Sequence, residues 1–255
     1  MPTPTTIKQW QYSDSISRNI WDENYQYMNF ARNPVSAKVA GGAAGGTAGD
    51  TNVLLFPQGQ LEYNIKGTQT ITAPVIANFA TGQSALNIGM DQTDNDGVEL
   101  CPGILNSNNQ AFKTGTDAAF FFSVRLNIPD VSGTDDLAIG FREAEAYQAN
   151  IDDYTDMAVL NVISGAIYIE TILNGAATVS TDTTNTWADN ATKQLTVKVS
   201  SAGVVTYLID GAAPTVTAAY TFTSGLYVVP FLFFLHSTDI AGSVQILDWE
   251  CGYQS

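Results

Sequence analysis

Three groupings in this sequence have the residue types and spacing that chemistry needs. The first is Asp91-Gln92-Thr93-Asp94-Asn95-Asp96-Gly97, which clusters the oxygen ligands a hard cation prefers. An EF-hand loop needs acids or amides at its first, third and fifth positions, Gly at the sixth and Glu at the twelfth. Setting Gly97 sixth puts Gln92 first and Gly103 twelfth, so that signature fails. The expectation is a polar turn and no cofactor. The metal alternative is a calcium ion held outside the EF-hand pattern by Asp91, Asp94 and Asp96. Asp152-Asp153-Tyr154-Thr155-Asp156 reads the same way.

The second grouping is Glu143 and Glu145, two apart and able to share one strand face, as paired glycosidase carboxylates do. Laminarinase-type glycosidases carry Glu, an apolar residue, Asp, two apolar residues and Glu. Phe141-Arg142-Glu143-Ala144-Glu145-Ala146-Tyr147 lacks both the central Asp and the spacing. His236 is the sole histidine, which excludes a multi-His metal site. With no Gly-x-Ser-x-Gly to supply a nucleophile and no phosphate-cradling Gly loop, the chain is expected not to be an enzyme.

The third grouping is aromatic. Tyr147, Tyr154 and Trp187 stand in polar, loop-like segments. There they could offer stacking platforms to a sugar, whose apolar ring face matches an aromatic face. The alternative is that they pack under a long loop.

The elements that must position these residues are strands. Leu195, Val197 and Val199 alternate with polar neighbours, and Leu61, Tyr63 and Ile65 do the same. Ala118–Ile128 runs apolar through three consecutive phenylalanines, as a central strand covered on both faces would. Leu137–Arg142, Met157–Ile163, Ala166–Leu173, Val204–Ile209 and Val228–Leu235 follow. In the last strand Leu247, Trp249, Cys251 and Tyr253 are expected to share a face. Pro74 marks Thr70–Phe79 as an edge strand or bulge. Ser164-Gly165, Asn174-Gly175 and Asp210-Gly211 are turn signals. Strands punctuated this way, without alternating helices, predict an all-β, two-sheet antiparallel sandwich over residues 51–255. Its core should include Phe121, Val197, Tyr207, Phe233 and Trp249.

Composition agrees with hydroxylated sheets. The 255 residues are 14% charged and 45% hydrophobic, with 28 threonines. Ten basic against 25 acidic residues give a net charge of −15, which argues against nucleic acid or an anionic membrane surface as partner. The N-terminus MPTPTTIKQW lacks the pattern of a secretory signal, and the longest apolar run, near Leu226–Leu235, is too short to span a bilayer. Cys101 and Cys251 are expected to be buried free thiols.

Residues 1–50 read differently, as an N-terminal arm ending in the Gly-rich stretch 41–49. Ser13–Phe30 has the makings of a short helix. Trp10, Arg18, Trp21 and Arg32 supply aromatic and cationic groups suited to docking or oligomerisation, most simply as a homo-oligomer such as a trimer.

Several segments resemble a virion structural protein of tailed bacteriophages. They are Asn95–Leu100 with Pro102-Gly103-Ile104, Asp130–Asp136, Phe141–Tyr147, Thr171–Ala177, Tyr207–Gly211 and Asp248–Gly252. The resemblance covers about residues 90–255. It implies a concanavalin A-like jelly roll acting as a capsid decoration (cement) protein on the particle exterior. It also implies the major capsid protein or other virion proteins as partners and assembly in the host cytoplasm. The alternative function is a carbohydrate-binding tail or fibre module touching host surface glycans. The resemblance carries over neither a catalytic residue nor a metal.

Overall fold

Alternating β-branched and aromatic residues with Gly, Asn and Asp at the turns leave the chain little choice but antiparallel sheet. The computed structural model describes residues 10–11, 16–20, 25–30, 38–40, 51–56, 59–66, 75–78, 84–88, 94–102, 112–237 and 244–255. The N-terminal strands are β1 (Trp10–Gln11), β2 (Ser17–Arg18), β3 (Gln26–Asn29) and β4 (Lys38–Ala40). Next come β5 (Thr51–Phe56), β6 (Gly59–Lys66), β7 (Val75–Asn78), β8 (Ser84–Ile88), β9 (Gly97–Pro102) and β10 (Phe112–Lys113). The middle of the chain forms β11 (Phe120–Ile128), β12 (Thr134–Glu143), β13 (Met157–Ile163), β14 (Ala166–Ile172) and β15 (Val179–Thr186). The last four are β16 (Ala191–Val199), β17 (Val205–Ile209), β18 (Tyr227–His236) and β19 (Val244–Tyr253).

Two antiparallel sheets face each other. The ten-stranded sheet runs β15-β14-β13-β12-β18-β9-β6-β5-β4, with β10 beside β18. The seven-stranded sheet runs β17-β16-β11-β19-β8-β7, with β3 also paired to β19. β1 and β2 form a separate ribbon. β7, preceded by Pro74, closes its sheet as an edge strand. Pro230 lies inside β18, but between the residues paired with β10 and those paired with β9. Its missing N–H therefore interrupts no ladder among the described residues.

The inner faces meet in one apolar layer that includes Leu61, Tyr63, Leu100, Phe122, Phe141, Leu160, Val197, Tyr207, Phe234 and Trp249. A second cluster lies on the outer face of the ten-stranded sheet, where Cys101, Tyr154, Val159, Phe231 and Phe233 pack beneath residues 144–156. The five expected core residues are all buried, though in three places. Val197, Tyr207 and Trp249 fill the inter-sheet layer, Phe233 the outer cluster, and Phe121 lies under the Arg18 guanidinium. Cys101 and Cys251 are free thiols in different clusters, and burial pushes Cys251 up to about 12.

The short helix expected over Ser13–Phe30 is not formed. Its described residues instead give β2 and β3, because Gln26–Asn29 pairs with Asp248–Cys251 of β19. Met28 and Phe30 then join the core, and tertiary pairing outweighs weak helical propensity. The face expected for the last strand is also corrected. The β11–β19 register shifts between Arg125 and Leu126, so Leu247 becomes the extra residue of a bulge. Ile246 takes its place in the core beside Trp249 and Cys251. Asp248 is thereby paired in register with outward-facing Arg125.

Asn174 and Gly175 both take positive φ, 53° and 67°, as a two-residue hairpin turn requires. Gly97 has a different reason to be glycine. A Cβ there would lie 1.9 Å from the Phe234 carbonyl oxygen, so the residue serves close strand packing in β9 rather than a cation loop. None of the described helices is long and apolar enough to cross a membrane.

Candidate functional site: the outer face of the seven-stranded sheet

β11, β16, β19 and β3 alternate apolar residues inward with polar residues outward. The outward rows follow from register. One row holds Thr196, Ser123, Glu250 and Tyr27; the next holds Gln194, Arg125, Asp248 and Asn29. The rows are cross-linked by side chains. Thr196 Oγ1 and Ser123 Oγ lie 2.8 Å apart, and Gln194 Nε2 donates to Ser123 Oγ at 2.8 Å. Arg125 Nε donates to Asp248 Oδ2 at 2.5 Å. Asn29 Nδ2 donates to Tyr27 Oη at 2.8 Å, and Tyr27 Oη donates to Asp248 Oδ1 at 3.5 Å.

Two members of this group face solvent. Tyr27 is 42% exposed, and the Arg125 side chain is 40% exposed. Partial burial raises the Tyr27 hydroxyl pKa above its ordinary value, as do the Asp248 and Glu250 charges, while the Asn29 bond and Arg125 oppose the shift. The phenol therefore stays protonated and a donor at neutral pH. On the same outer side of the sheet Arg18 of β2 forks onto Glu250, through Nε to Oε1 and through Nη2 to Oε2 at 2.9 Å. Tyr25 donates to Glu250 Oε1 at 2.7 Å.

The residues singled out from sequence are placed as follows. Trp10 is in β1, paired through the backbone with Arg18. Arg18 is 4% exposed, its guanidinium engaged inside the chain's own fold. Trp21, Arg32 and Asp91 lie outside the described residues. Asp94 is exposed, whereas Asp96 is buried, with its carbonyl accepting from His236 N. Burial raises the Asp135 pKa, and the charge and hydrogen bond of Asp94 add to it. Among the described residues no group of three His, Cys, Asp or Glu is arranged to hold a metal.

The three aromatics expected as platforms do not form one. Tyr154 is buried in the outer cluster of the ten-stranded sheet, and Trp187 is buried with its Nε1 donating to Ala191 O at 3.0 Å. Tyr147 is half-buried against the same cluster as Tyr154, its hydroxyl enclosed. Their polar sequence neighbours point outward while the rings turn in, which is why the segments look exposed in the sequence. Glu145 accepts from Thr155 N and Oγ1 at 2.7 and 3.0 Å, pinning the loop. Burial raises the Glu143 pKa, with the Asp156 and Glu145 charges adding to it.

Under that loop Arg142 forks onto Glu99 at 3.0 and 2.9 Å, with the two side chains 3% and 0% exposed. Tyr154 donates to Glu99 Oε2, and the Arg142 guanidinium stacks 4.7 Å from the Tyr154 ring centre. Arg142 Nη1 also donates to the carbonyls of Glu143 and Glu145, tying the loop to the sheet. Burial alone would lower the Arg142 pKa; the charge and hydrogen bond of Glu99, with Tyr154 and Cys101, together outweigh it and hold the guanidinium protonated.

Sequence reasoning missed Tyr27, Asn29, Arg125, Gln194 and Asp248 as a group. Only the outward parity of Gln194 in β16 was legible; the β11 segment read as a strand covered on both faces, which hid Arg125.

No protein-family model matches the chain, and no curated protein matches it. Solved structures do resemble it. The carbohydrate recognition domain of Emp46p, in a potassium-bound form, superposes with TM-score 0.50 at 8% identity, covering 76% of this chain and 89% of that one. The Caenorhabditis elegans galectin LEC-6 gives TM-score 0.35 at 16% identity over 56% and 89% of the two chains. An alginate lyase from Corynebacterium sp. gives 0.47 at 14% identity over 72% and 83%. At such identities the likeness is one of fold: the chain shares a jelly-roll sandwich with the Emp46p domain.

Proposed function

We propose that the protein is a non-enzymatic glycan-binding sandwich whose ligand lies on the outer face of the seven-stranded sheet. The observation that carries this reading is the Tyr27 ring. It is exposed, held at its hydroxyl by Asn29 and Asp248, and bordered by the guanidinium of Arg125. An accessible aromatic face beside planar amide, carboxylate and guanidinium groups is what a pyranose needs: stacking for its C–H face and fixed partners for its hydroxyls. The shared fold with a carbohydrate recognition domain supplies a compatible scaffold, but fold alone does not carry function. The test is titration calorimetry against a panel of oligosaccharides. Tyr27→Ala should weaken binding at least about tenfold, equivalent to roughly 1.4 kcal/mol. Undiminished binding by this variant would remove the ligand from this face.

The setting we propose is the exterior of a tailed-phage particle, on the resemblance carried by residues 90–255. There a glycan-binding face that includes Tyr27 and Asn29 points at the host, and the capsid contact falls to Trp10, Trp21 and Arg32, without Arg18, which Glu250 already holds. Adding the protein to particles that lack it and measuring occupancy tests the setting independently of the glycan.

A further inference from the structure

We infer that the saccharide taken on this face is acidic, and that Arg125 receives its carboxylate through the edge formed by Nη1 and Nη2. The inference rests on the glycan-binding reading of the same face. A guanidinium carries five N–H donors in a planar fork. Among the described residues Arg125 is engaged through Nε alone, by Asp248 Oδ2 at 2.5 Å, with no hydrogen bond from either Nη, and the side chain is 40% exposed. Arg18 and Arg142 spend Nε and Nη2 together on a single carboxylate, Glu250 and Glu99 respectively. Arg125 is thus oriented through one nitrogen and left with the two-pronged edge that matches a carboxylate.

The surrounding charge points the same way. The chain carries −15 overall, so an acidic ligand is repelled from most of its surface. On the described outer rows of β16, β11, β19 and β3, Arg125 and Lys198 balance Asp248 and Glu250, and Glu250 is further paired with Arg18 of the β1–β2 ribbon. Rows whose charges balance, on a strongly acidic chain, are a place where an anion is tolerated. Gln194, in register with Arg125, donates to Ser123 through Nε2 and leaves Oε1 as an acceptor for a neighbouring sugar hydroxyl. Tyr27, on the other side of Asp248, offers its ring to the sugar body.

The experiment compares three probes on the full-length protein by calorimetry: an oligouronate, the same oligomer with its carboxyl groups reduced to alcohols, and a sulfated neutral oligosaccharide of similar length. The oligouronate is expected to bind about tenfold or more tightly than its reduced form. Arg125→Gln should erase that ratio, weakening the oligouronate far more than the reduced oligomer. Arg125→Lys, which keeps the charge but not the fork, should lose most of it. If the reduced oligomer binds as well as the oligouronate, the carboxylate assignment fails and the glycan reading stands. If none of the three binds, both fail. Tighter binding of the sulfated probe, or full selectivity in Arg125→Lys, would replace a planar carboxylate partner with simple charge attraction and overturn the inference. Thermal melts of both variants within a few degrees of wild type confirm that the fold is intact.

Discussion

On the ten-stranded sheet Arg142 forks onto Glu99 and Tyr154 donates to the same carboxylate; on the seven-stranded sheet Arg18 forks onto Glu250 and Tyr25 donates to it. Both guanidinium groups lie near an aromatic ring, Arg142 over Tyr154 and Arg18 over Phe121. The chemistry is the same and the surroundings are not. Residues 144–156 close over the first cluster, and Tyr154, part of that loop, is itself the lid. The second cluster borders an open surface on which Arg125 and Tyr27 remain exposed. A buried, fully engaged ion pair fixes geometry and offers nothing to a ligand. The same residues at the edge of an open face can support neighbours that do. Burial, more than residue type, separates scaffold from site.

The largest expected effect breaks the open side. Deleting residues 1–30 removes β3 from β19, the Arg18 partner of Glu250, and Met28 and Phe30 from the core. Several core side chains and a buried charge partner together exceed the whole stability of a typical domain, about 5–15 kcal/mol. The truncated chain is expected to show no cooperative urea transition. A truncated protein that unfolds cooperatively near the wild-type midpoint would show that the first thirty residues are an accessory and that the seven-stranded sheet stands without them.

A smaller effect sharpens the comparison between the two clusters. Arg142→Met leaves Glu99 buried without its counter-ion and should cost about 3–5 kcal/mol. Each carboxylate keeps its tyrosine donor, but Arg18→Met should cost less, because the Glu250 side chain is nearer solvent than that of Glu99. Urea unfolding of the two variants side by side checks this. Equal losses would mean that the loop over Arg142 adds no desolvation beyond what Arg18 already experiences.

How far these clusters were legible in the sequence depends on what local pattern encodes. The strands of the second half could be read from alternation, and Asn174-Gly175 gave its turn, because both signals are written within a few neighbouring residues. Ser13–Phe30 was misread because its composition is neutral and its fate is decided by pairing with β19, more than two hundred residues away. Asp248 and Glu250 showed no partner in sequence for the same reason: Arg125 and Arg18 reach them across the sheet. The bulge at Leu247 compounds this, since one extra residue reverses the parity of everything before it. Tyr154 and Trp187 looked available because their neighbours are polar, and only the tertiary fold shows which way the rings turn.

The smallest expected effect concerns the acids themselves. Asp248 and Glu250 on the open face each have an arginine, whereas Asp136 and Glu170 on the other face share a single amide, Asn161 Nδ2, at 2.7 Å each. Burial raises the Asp136 pKa to about 6; the Asn161 hydrogen bond opposes the shift, and the Glu170, Asp152 and Asp135 charges add to it. The sign follows from linkage. Between about pH 4 and pH 6 the folded chain holds a proton that the unfolded chain has released, so stability falls as pH rises through that window and stays lower above it. Asp136→Asn keeps an oxygen for Asn161 and removes the charge. It should stabilise the protein by about 1–2 kcal/mol at pH 7 to 8, allowing for partial exposure, and by nothing near pH 4. The measurement is the difference between the two unfolding free energies as a function of pH. A difference that is flat from pH 4 to pH 8 would place the proton elsewhere, on Asp135, Glu143 or Asp156, whose pKa values are also raised, and would leave Asp136 as well compensated by its amide as Asp248 is by its arginine.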